Sequence, residues 1–353
     1  MSTAISTALS CTVYFAKIGG SAIYLMVAGS MLKSLTSKYL DLSLCAWNPI
    51  VAALLLTPLW LKSLADFWLI SYSAVFSATA TAVLILIDLA LNISDETKAA
   101  PDTKVTHEPF QIKNFEEYAS AYGLMLFSFG GAGVFPNIQN EMRNRRHFCW
   151  AVLAGMSGNW QFRMIEKTHF KPFSLFLGLG LLYLPTSSLA FLTFGAATSP
   201  NILNNLSSNL ITTIIECCLL VHCFSVIFLQ LNAVFLDLEE ALAVPHHFTL
   251  KRVILRSFIF GLALLLAETV PSFGSIQALI GGTSFSIMLV LPTLNYLKLV
   301  YDRSGEKWPE HNVPHWQKVI LGVVVLSGLG GGMMATFLNL KNFAFKQSVC
   351  FGD

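Results

Sequence analysis

The chain has 353 residues, of which 54% are hydrophobic and only 12% are charged, and its mean hydropathy is +0.62. This composition excludes an ordinary soluble domain and predicts a protein that resides in a lipid bilayer. The formal net charge of +2 argues against nucleic acid as a partner. The seven cysteines follow neither a zinc-binding pattern nor the spacing of a disulfide framework, so no metal site is predicted.

Nine apolar segments are long enough to cross a bilayer, whose hydrocarbon core takes about 20 residues of helix. The second segment is the weakest, because Pro49 and Pro58 interrupt it. In chain order the segments are 14–32, 47–64, 68–91, 118–138, 172–194, 210–235, 253–270, 276–299 and 319–338. The sequence therefore predicts an all-α membrane protein with about nine spans.

The placement of Lys and Arg predicts how these spans are oriented. If the basic loop at 143–171 is cytosolic, every second loop also faces the cytosol, and these loops carry twice as many basic residues as the opposite side. The longest loop on the opposite side, 93–117, is polar and contains several acidic residues. Two N-glycosylation sequons, at Asn92 and Asn205, fall on that extracytosolic side and support the orientation.

The fourth span contains three glycines and a proline in the stretch 127–136, FSFGGAGVFP. Within a bilayer, open backbone persists only where the freed N–H and C=O groups line a cavity or bind something. In secondary transporters, such unwound midpoints present backbone dipoles to a small charged substrate. The alternative is a close contact between two helices, which small residues also permit.

Several other polar positions within the spans have two interpretations. Asp88, Glu216 and Glu268 lie near span ends, where water or headgroups can reach them, so they are predicted to be solvated. Tyr24 lies beside small residues of the first span and either directs its hydroxyl into a cavity or packs at a helix interface. The small-residue run at 281–284 indicates either a close helix contact or a moving gate.

His222 lies in the middle of the sixth span, and helical periodicity puts it with Ser225 and Asn232 on one polar face about 80° wide. An ionisable side chain at that depth is a candidate site for a coupling ion, and histidine titrates near physiological pH. The alternative is a neutral histidine that is hydrogen-bonded between packed helices.

The sequence contains no enzyme signature of the zinc-protease, nucleophile-elbow or phosphate-loop type. The glycines at 130–133 lack the flanking strand and helix of a nucleotide site. No catalytic residue is predicted, and no cofactor is expected apart from a coupling H⁺ or Na⁺ ion.

Three stretches resemble the amino acid/auxin permease superfamily, which includes the vesicular inhibitory, proton-coupled and sodium-coupled neutral amino acid transporters. Residues 127–142, FSFGGAGVFPNIQNEM, are similar to the sixth-helix signature of that superfamily. Residues 232–247 agree with it, and residues 256–299 resemble its ninth and tenth helices. The resemblance covers nearly the whole chain in order and implies a LeuT-type (APC) inverted-repeat fold.

Against that family of eleven helices, the nine spans correspond to helices three to eleven, and residues 1–353 form one transporter domain that lacks the first two helices. The family's first helix supplies about half of the substrate site, so the resemblance implies that this chain retains the sixth-helix half. The polar stretch 158–171 is a second departure from the family pattern. These departures favour a second interpretation, a non-transporting paralogue or an amino acid sensor that binds a partner.

The resemblance implies a secondary-active transporter, a symporter or antiporter, of a small neutral amino acid in the plasma, vesicular or lysosomal membrane. Alternating access would be driven by a proton or sodium gradient. The helix that carries His222, Ser225 and Asn232 would border the ion path. The candidate substrate-binding residues are Ser128, Phe129, Gly130, Gly131, Ala132, Gly133 and Tyr24.

Overall fold

All regular structure among the described residues is helical. The computed structural model describes residues 2–40, 42–61, 68–96, 115–128, 130, 171–199, 201–207, 209–245, 247–270, 273–301 and 313–345. The helices are α1 (Ser2–Thr36), α2 (Leu44–Leu61), α3 (Trp68–Glu96), α4 (Phe115–Ser128), α5 (Lys171–Phe194), α6 (Leu210–Ala241), α7 (Leu250–Thr269), α8 (Phe273–Ile280), α9 (Ser286–Tyr301) and α10 (His315–Phe345). A π-helix, Gly281–Phe285, joins α8 to α9, and two short 3₁₀ helices, Gly195–Ala197 and Ile202–Asn205, lie between α5 and α6.

Within these ranges, five helical segments are long and apolar enough to cross a membrane. They are Leu9–Thr36, Leu69–Leu91, Leu210–Ala241, Phe273–Lys298 and His315–Lys341. The prediction of an all-α protein is thereby confirmed for the described residues, five helices are candidates for membrane spans, and the count of nine spans stays a prediction.

Helix α3 continues to Glu96 and α4 begins at Phe115, so both ends of the predicted loop 93–117 are helical. Glu116 and Glu117 occupy the first turn of α4, where negative charge stabilises a helix N-terminus. The rest of that loop, and the predicted basic loop up to residue 170, lie outside the described residues.

The chain forms two compact units. The first comprises Met1–Ser71, Ile112–Gly133 and Cys223–Asp353, and it contains α1, α2, α4 and α7 to α10. The second comprises Tyr72–Gln111 and Val134–His222, and it contains most of α3, α5 and the first part of α6.

In the first unit, α1, α2 and α7 pack against one another along their lengths. Side chains of α1 such as Ala22, Leu25 and Ala28 are fully buried. Because lipid tails are as apolar as leucine, close packing and polar contacts rather than the hydrophobic effect hold such helices together. The polar contacts of this bundle therefore decide how its helices are positioned.

A buried ionic cluster ties α7 to α2 and α6. Nε of Arg256 and Nε of Arg252 both donate to Oε1 of Glu239, at 2.6 and 3.0 Å. The guanidinium of Arg256 also lies 5.0 Å from the ring centroid of Phe235. Its Nη1 donates to the carbonyl oxygen of Leu59 at 2.6 Å. That carbonyl is among the last four of α2, which have no partner within the helix, so Arg256 caps the C-terminus of α2.

We expect Glu239→Gln to lower the free energy of unfolding by about 3–5 kcal/mol, because two guanidinium groups then stay buried without their carboxylate. The measurement is the midpoint of thermal unfolding in detergent. Glu116→Gln is the matched control, since the Glu116–Lys341 pair at 3.4 Å is about half exposed and contributes less than about 1 kcal/mol. Equal midpoints for the two variants would contradict the anchoring role of Glu239.

Candidate functional site

The described part of helix α4 runs from Phe115 to Ser128, next to the glycine-rich stretch. The Ser128 hydroxyl donates to the carbonyl oxygen of Leu124 at 3.0 Å, within the last turns of the helix. A helix of 14 residues is about 21 Å long, which is less than the roughly 30 Å of a bilayer core. If Glu116 and Glu117 lie at a polar boundary, Ser128 and the glycine-rich stretch that follows it lie at membrane depth.

The end of α4 packs against the π-helix. The rings of Phe127 and Phe285 meet edge to face, with centroids 5.6 Å apart and an interplanar angle of 72°. Gly130 lies so close to the Phe285 ring that a Cβ atom at this position would overlap it. Of the predicted substrate residues, Phe129, Gly131, Ala132 and Gly133 lie outside the described part of the chain, so their role stays a prediction.

Closer to the N-terminus of α4, its backbone is in direct contact with the backbones of α8 and the π-helix. A Cβ atom on Gly281 would overlap the carbonyl oxygen of Gly123, and one on Gly123 would overlap the carbonyl oxygen of Ala278. The predicted small-residue contact at 281–284 is therefore present. The π-helix at this contact was not predicted from the sequence. Such π-turns inside α-helices often occur at functional sites.

Helix α4 is also bound to α10 through polar groups. The hydroxyl of Tyr122 donates to the carbonyl oxygen of Ser327 at 2.7 Å, and Gly331 leaves room for the Tyr122 ring. The hydroxyl of Ser120 donates to Oδ1 of Asn339 at 2.9 Å. These contacts hold the first half of α4 against α10 within the first unit.

Tyr24 is half-buried on α1, one helical turn after Gly20. A Cβ atom on Gly20 would lie 2.7 Å from Oε1 of Gln230, and the Ser21 hydroxyl is 3.4 Å from the same oxygen. This side of α1 therefore faces α6. Tyr24 lies beside that α1–α6 contact, and its role in substrate binding stays a prediction.

The polar residues of α6 are divided between the two units. Nδ1 of His222, in the second unit, lies 3.0 Å from the carbonyl oxygen of Ala74, which is the packed-histidine arrangement of the alternative interpretation. Ser225 and Asn232 are buried in the first unit. Neither amide atom of Asn232 has a hydrogen-bond partner among the described residues. Leaving a buried polar group unpaired costs about 1–3 kcal/mol, so Asn232 is suited to bind an ion or a substrate group.

The prediction that Asp88, Glu216 and Glu268 are solvated is wrong, because their exposed fractions are only 2%, 9% and 8%. In the second unit, Oδ1 of Asp88 accepts a hydrogen bond from Nδ2 of Asn209 at 3.0 Å. The Asn209 Oδ1 in turn accepts from the backbone N–H of Thr212 at 2.7 Å at the start of α6. Closeness to a span end does not expose a side chain when other parts of the protein cover it.

Both glycosylation candidates lie in helices. Asn92 lies within α3 and not in the loop after it. Asn205 ends a 3₁₀ helix, where its side chain accepts from Ser199 N at 2.7 Å and donates to the Ala197 carbonyl oxygen at 3.0 Å. Glycosylation at both positions stays a prediction.

One cysteine forms a disulfide, although the cysteine spacing indicates no disulfide framework. Cys45 is disulfide-bonded, whereas Cys11, Cys217, Cys218 and Cys223 are free. Disulfides persist on the oxidising side of a membrane, so this bond agrees with the predicted extracytosolic location of the start of α2. Among the described residues, no three His, Cys, Asp or Glu side chains could hold a metal ion together.

Comparison with known proteins gives a consistent picture. The sequence profile of the family described as "Transmembrane amino acid transporter protein" matches residues 1–165 and 159–338. Amino acid transporter AVT1B of Arabidopsis thaliana is 24% identical over 306 residues, which cover 83% of this chain and 50% of that protein. Amino acid transporter AVT3C of the same plant is 24% identical over 218 residues, or 61% of this chain and 44% of that protein.

A third relative comes from Drosophila melanogaster. The proton-coupled amino acid transporter-like protein pathetic is 26% identical over 233 residues, which cover 63% of this chain and 43% of that protein. The chain thus spans about half the length of these relatives. No solved structure matches the chain significantly.

We expect Gly281→Ala to destabilise the protein by about 1–3 kcal/mol, because the new methyl group overlaps the α4 backbone at Gly123. Gly322→Ala in α10 is the matched control, since no atom lies within 4 Å of its added Cβ. That control should stabilise the protein by about 0.5–1 kcal/mol, because alanine favours a helix over glycine. Thermal unfolding that shifts in the same direction for both variants would exclude the close contact.

Proposed function

Because this chain belongs to the family of transmembrane amino acid transporter proteins, we propose that it is a secondary-active transporter of small neutral amino acids that works by alternating access. Membership makes the chain an integral multi-pass membrane protein, and the family is one of transporters, not enzymes. Family membership is shown, whereas the transport activity of the chain, its substrate and its coupling ion are proposed.

The proposal rests on the glycine-rich stretch 130–133, which directly follows Phe129 and Ser128, the last described residue of α4, and it places the end of the helix there, at membrane depth. The C-terminal carbonyl groups of a helix carry partial negative charge, and lipid offers them no donor. The α-ammonium group of an amino acid supplies positively charged donors that match these carbonyls. In the proposal, the backbone of Gly130, Gly131 and Gly133 then approaches the α-carboxylate, since glycine leaves room for a substrate.

The proposed preference for small, neutral side chains follows from the surroundings of this end. Residues 127–133 contain no charged side chain that could pair with an ionised substrate side chain. The rings of Phe127 and Phe285 occupy one side of Gly130 and limit the space there. Ser128, Phe129, Ala132 and, across the bundle, Tyr24 complete the proposed pocket.

The proposed architecture is a LeuT-type inverted repeat in which nine helices span the membrane. In this assignment, a break in the fourth span at the glycine-rich stretch gives the discontinuous helix that binds substrates in such folds. The buried Ser225 and the unpaired amide of Asn232 support an ion path along α6. His222 is the proton-titrating candidate on the same helix, and either H⁺ or Na⁺ serves as the coupling ion.

A second candidate function is that of a non-transporting amino acid sensor. A sensor would bind the same amino acids at the end of α4 and would not move them across the membrane.

We expect Gly131→Leu to abolish counterflow of labelled alanine in proteoliposomes that contain the full chain. The leucine side chain fills the space through which the substrate reaches the backbone, and counterflow needs no ion gradient. Gly261→Leu in α7 is the matched control and should retain counterflow, since no atom lies within 4 Å of an added Cβ there.

Normal counterflow by Gly131→Leu would show that the glycine stretch is a packing contact and not a substrate site. Alanine binding without counterflow in the wild-type protein would favour the sensor. Glutamate and lysine, added as competitors, test the preference for neutral substrates. Inhibition by either one at the same concentration as alanine would contradict that preference.

We expect His222→Asn to flatten the pH dependence of alanine uptake if α6 carries the proton, because asparagine keeps a hydrogen-bonding side chain but cannot titrate. Binding of alanine should persist, since His222 contacts the Ala74 carbonyl oxygen and belongs to the second unit. Replacement of sodium by choline in the same assay shows whether sodium drives uptake. An unchanged pH profile would make His222 a structural residue.

A further inference from the structure

A second buried polar site lies where α1, α2 and α7 meet, at the opposite end of α7 from the ionic cluster. Glu268 occupies the last turn of α7, about 18 Å along the helix from Arg256. Asn48 lies near the start of α2 and is 1% exposed, and Glu268 is 8% exposed. The charge distribution of the sequence assigns this end of the bundle to the extracytosolic side.

The two side chains contact each other and leave polar atoms unsatisfied. The Asn48 side chain hydrogen-bonds the Glu268 carboxyl group. Oε1 of Glu268 and Oδ1 of Asn48 are buried and have no hydrogen-bond partner among the described residues. Helix α1 closes the site at Gly29, where a Cβ atom would overlap Oδ1 of Asn48. The site therefore contains two acceptor oxygens that lack a donor.

No cation pairs with Glu268 among the described residues. On α1, Lys33 is exposed one turn beyond Gly29, and Lys17 lies three turns before Gly29 with Asp237 as its charged neighbour. Helix α2 offers only Cys45, which is disulfide-bonded. On α7 itself, Arg252 and Arg256 bind Glu239.

From this arrangement we infer that Glu268 is a proton-binding site that exchanges its proton during the working cycle of the protein. A carboxylate buried without a cation is strongly disfavoured, because burial penalises the charged form. Binding of a proton removes the charge. It also converts the carboxyl group into a hydrogen-bond donor, which is what the acceptor oxygen of Asn48 lacks.

A metal cation fits the site less well than a proton. Hard cations in proteins take about six or more oxygen ligands. The described residues provide the carboxyl group of Glu268 and one amide oxygen, whereas a single proton needs one acceptor. The proton would enter from the extracytosolic side, where this end of the bundle lies. Its link to transport rests on the proposed function, but proton binding itself can be measured without transport.

The test is chemical labelling of the full-length protein in lipid nanodiscs with dicyclohexylcarbodiimide. This apolar reagent adds to protonated carboxyl groups in apolar surroundings and leaves a stable N-acylurea, which peptide mass spectrometry locates. Glu239 is the internal control, because it is also buried but is bound by two guanidinium groups. We expect Glu268 to react at least about tenfold faster than Glu239, and its labelling to decline as pH rises.

Equal labelling of Glu268 and Glu239, or labelling of Glu268 that does not change with pH, would overturn the inference. If sodium at constant pH protects Glu268 from labelling, the site binds a metal cation and not a proton, and the inference is wrong. Infrared spectra provide a second readout, since the carbonyl stretch of a protonated carboxyl group should disappear in Glu268→Gln. Gly29→Ala displaces Asn48 and should change the pH at which labelling declines, whereas Gly322→Ala should not.

Transport assays distinguish a failure of the proton-site proposal from a failure of the proposed transport function. Glu268→Gln should keep alanine counterflow and lose the response of alanine uptake to a pH gradient. If the wild-type protein shows pH-dependent labelling but no counterflow, the proton site stands and the transport proposal fails. If the pH response of uptake survives in Glu268→Gln, Glu268 does not couple the proton to transport.

Discussion

A bilayer offers no hydrogen bonds, so each helix end at membrane depth must be matched by another part of the protein or by a ligand. The C-terminus of α2 meets this requirement through Arg256, whose Nη1 donates to the Leu59 carbonyl oxygen. The end of α4 lies against the π-helix and α10, and its last carbonyl groups define the proposed substrate site. One constraint thus accounts both for an anchoring contact and for the candidate site.

Glu239 and Glu268 show how surroundings assign different roles to the same chemical group. Both are buried in the first unit, and both lie at an end of the bundle that includes α7. Glu239 binds two guanidinium groups, which stabilise its negative charge and make it an anchor. Glu268 has one amide neighbour and no cation among the described residues, so charge there is disfavoured. The first arrangement favours rigidity, and the second favours a change of protonation.

Hydropathy and periodicity were sufficient to predict an all-helical membrane protein, because the length of an apolar run is a property of the local sequence. The glycine stretch also predicted a break in the fourth span, since glycine weakens a helix locally, and most of that stretch lies outside the described residues. The burial of Glu268 could not be predicted in this way. It depends on Asn48 and Gly29, which are distant in sequence and carry no signal that they meet. The π-helix at 281–285 was likewise not predicted, and its Gly281 and Gly282 contact residues that are distant in sequence.

The cap on α2 also has a consequence for the order in which the protein assembles. The two partners, Leu59 and Arg256, are 197 residues apart in the chain. At about 5–20 residues per second, a ribosome needs roughly 10–40 s to synthesise the segment between them. During that interval α2 is already made, and its terminal carbonyl groups must be satisfied by water, lipid headgroups or the insertion machinery. Completion of the α1–α2–α7 bundle is therefore a late step in biogenesis, which follows the delivery of α7 to the membrane.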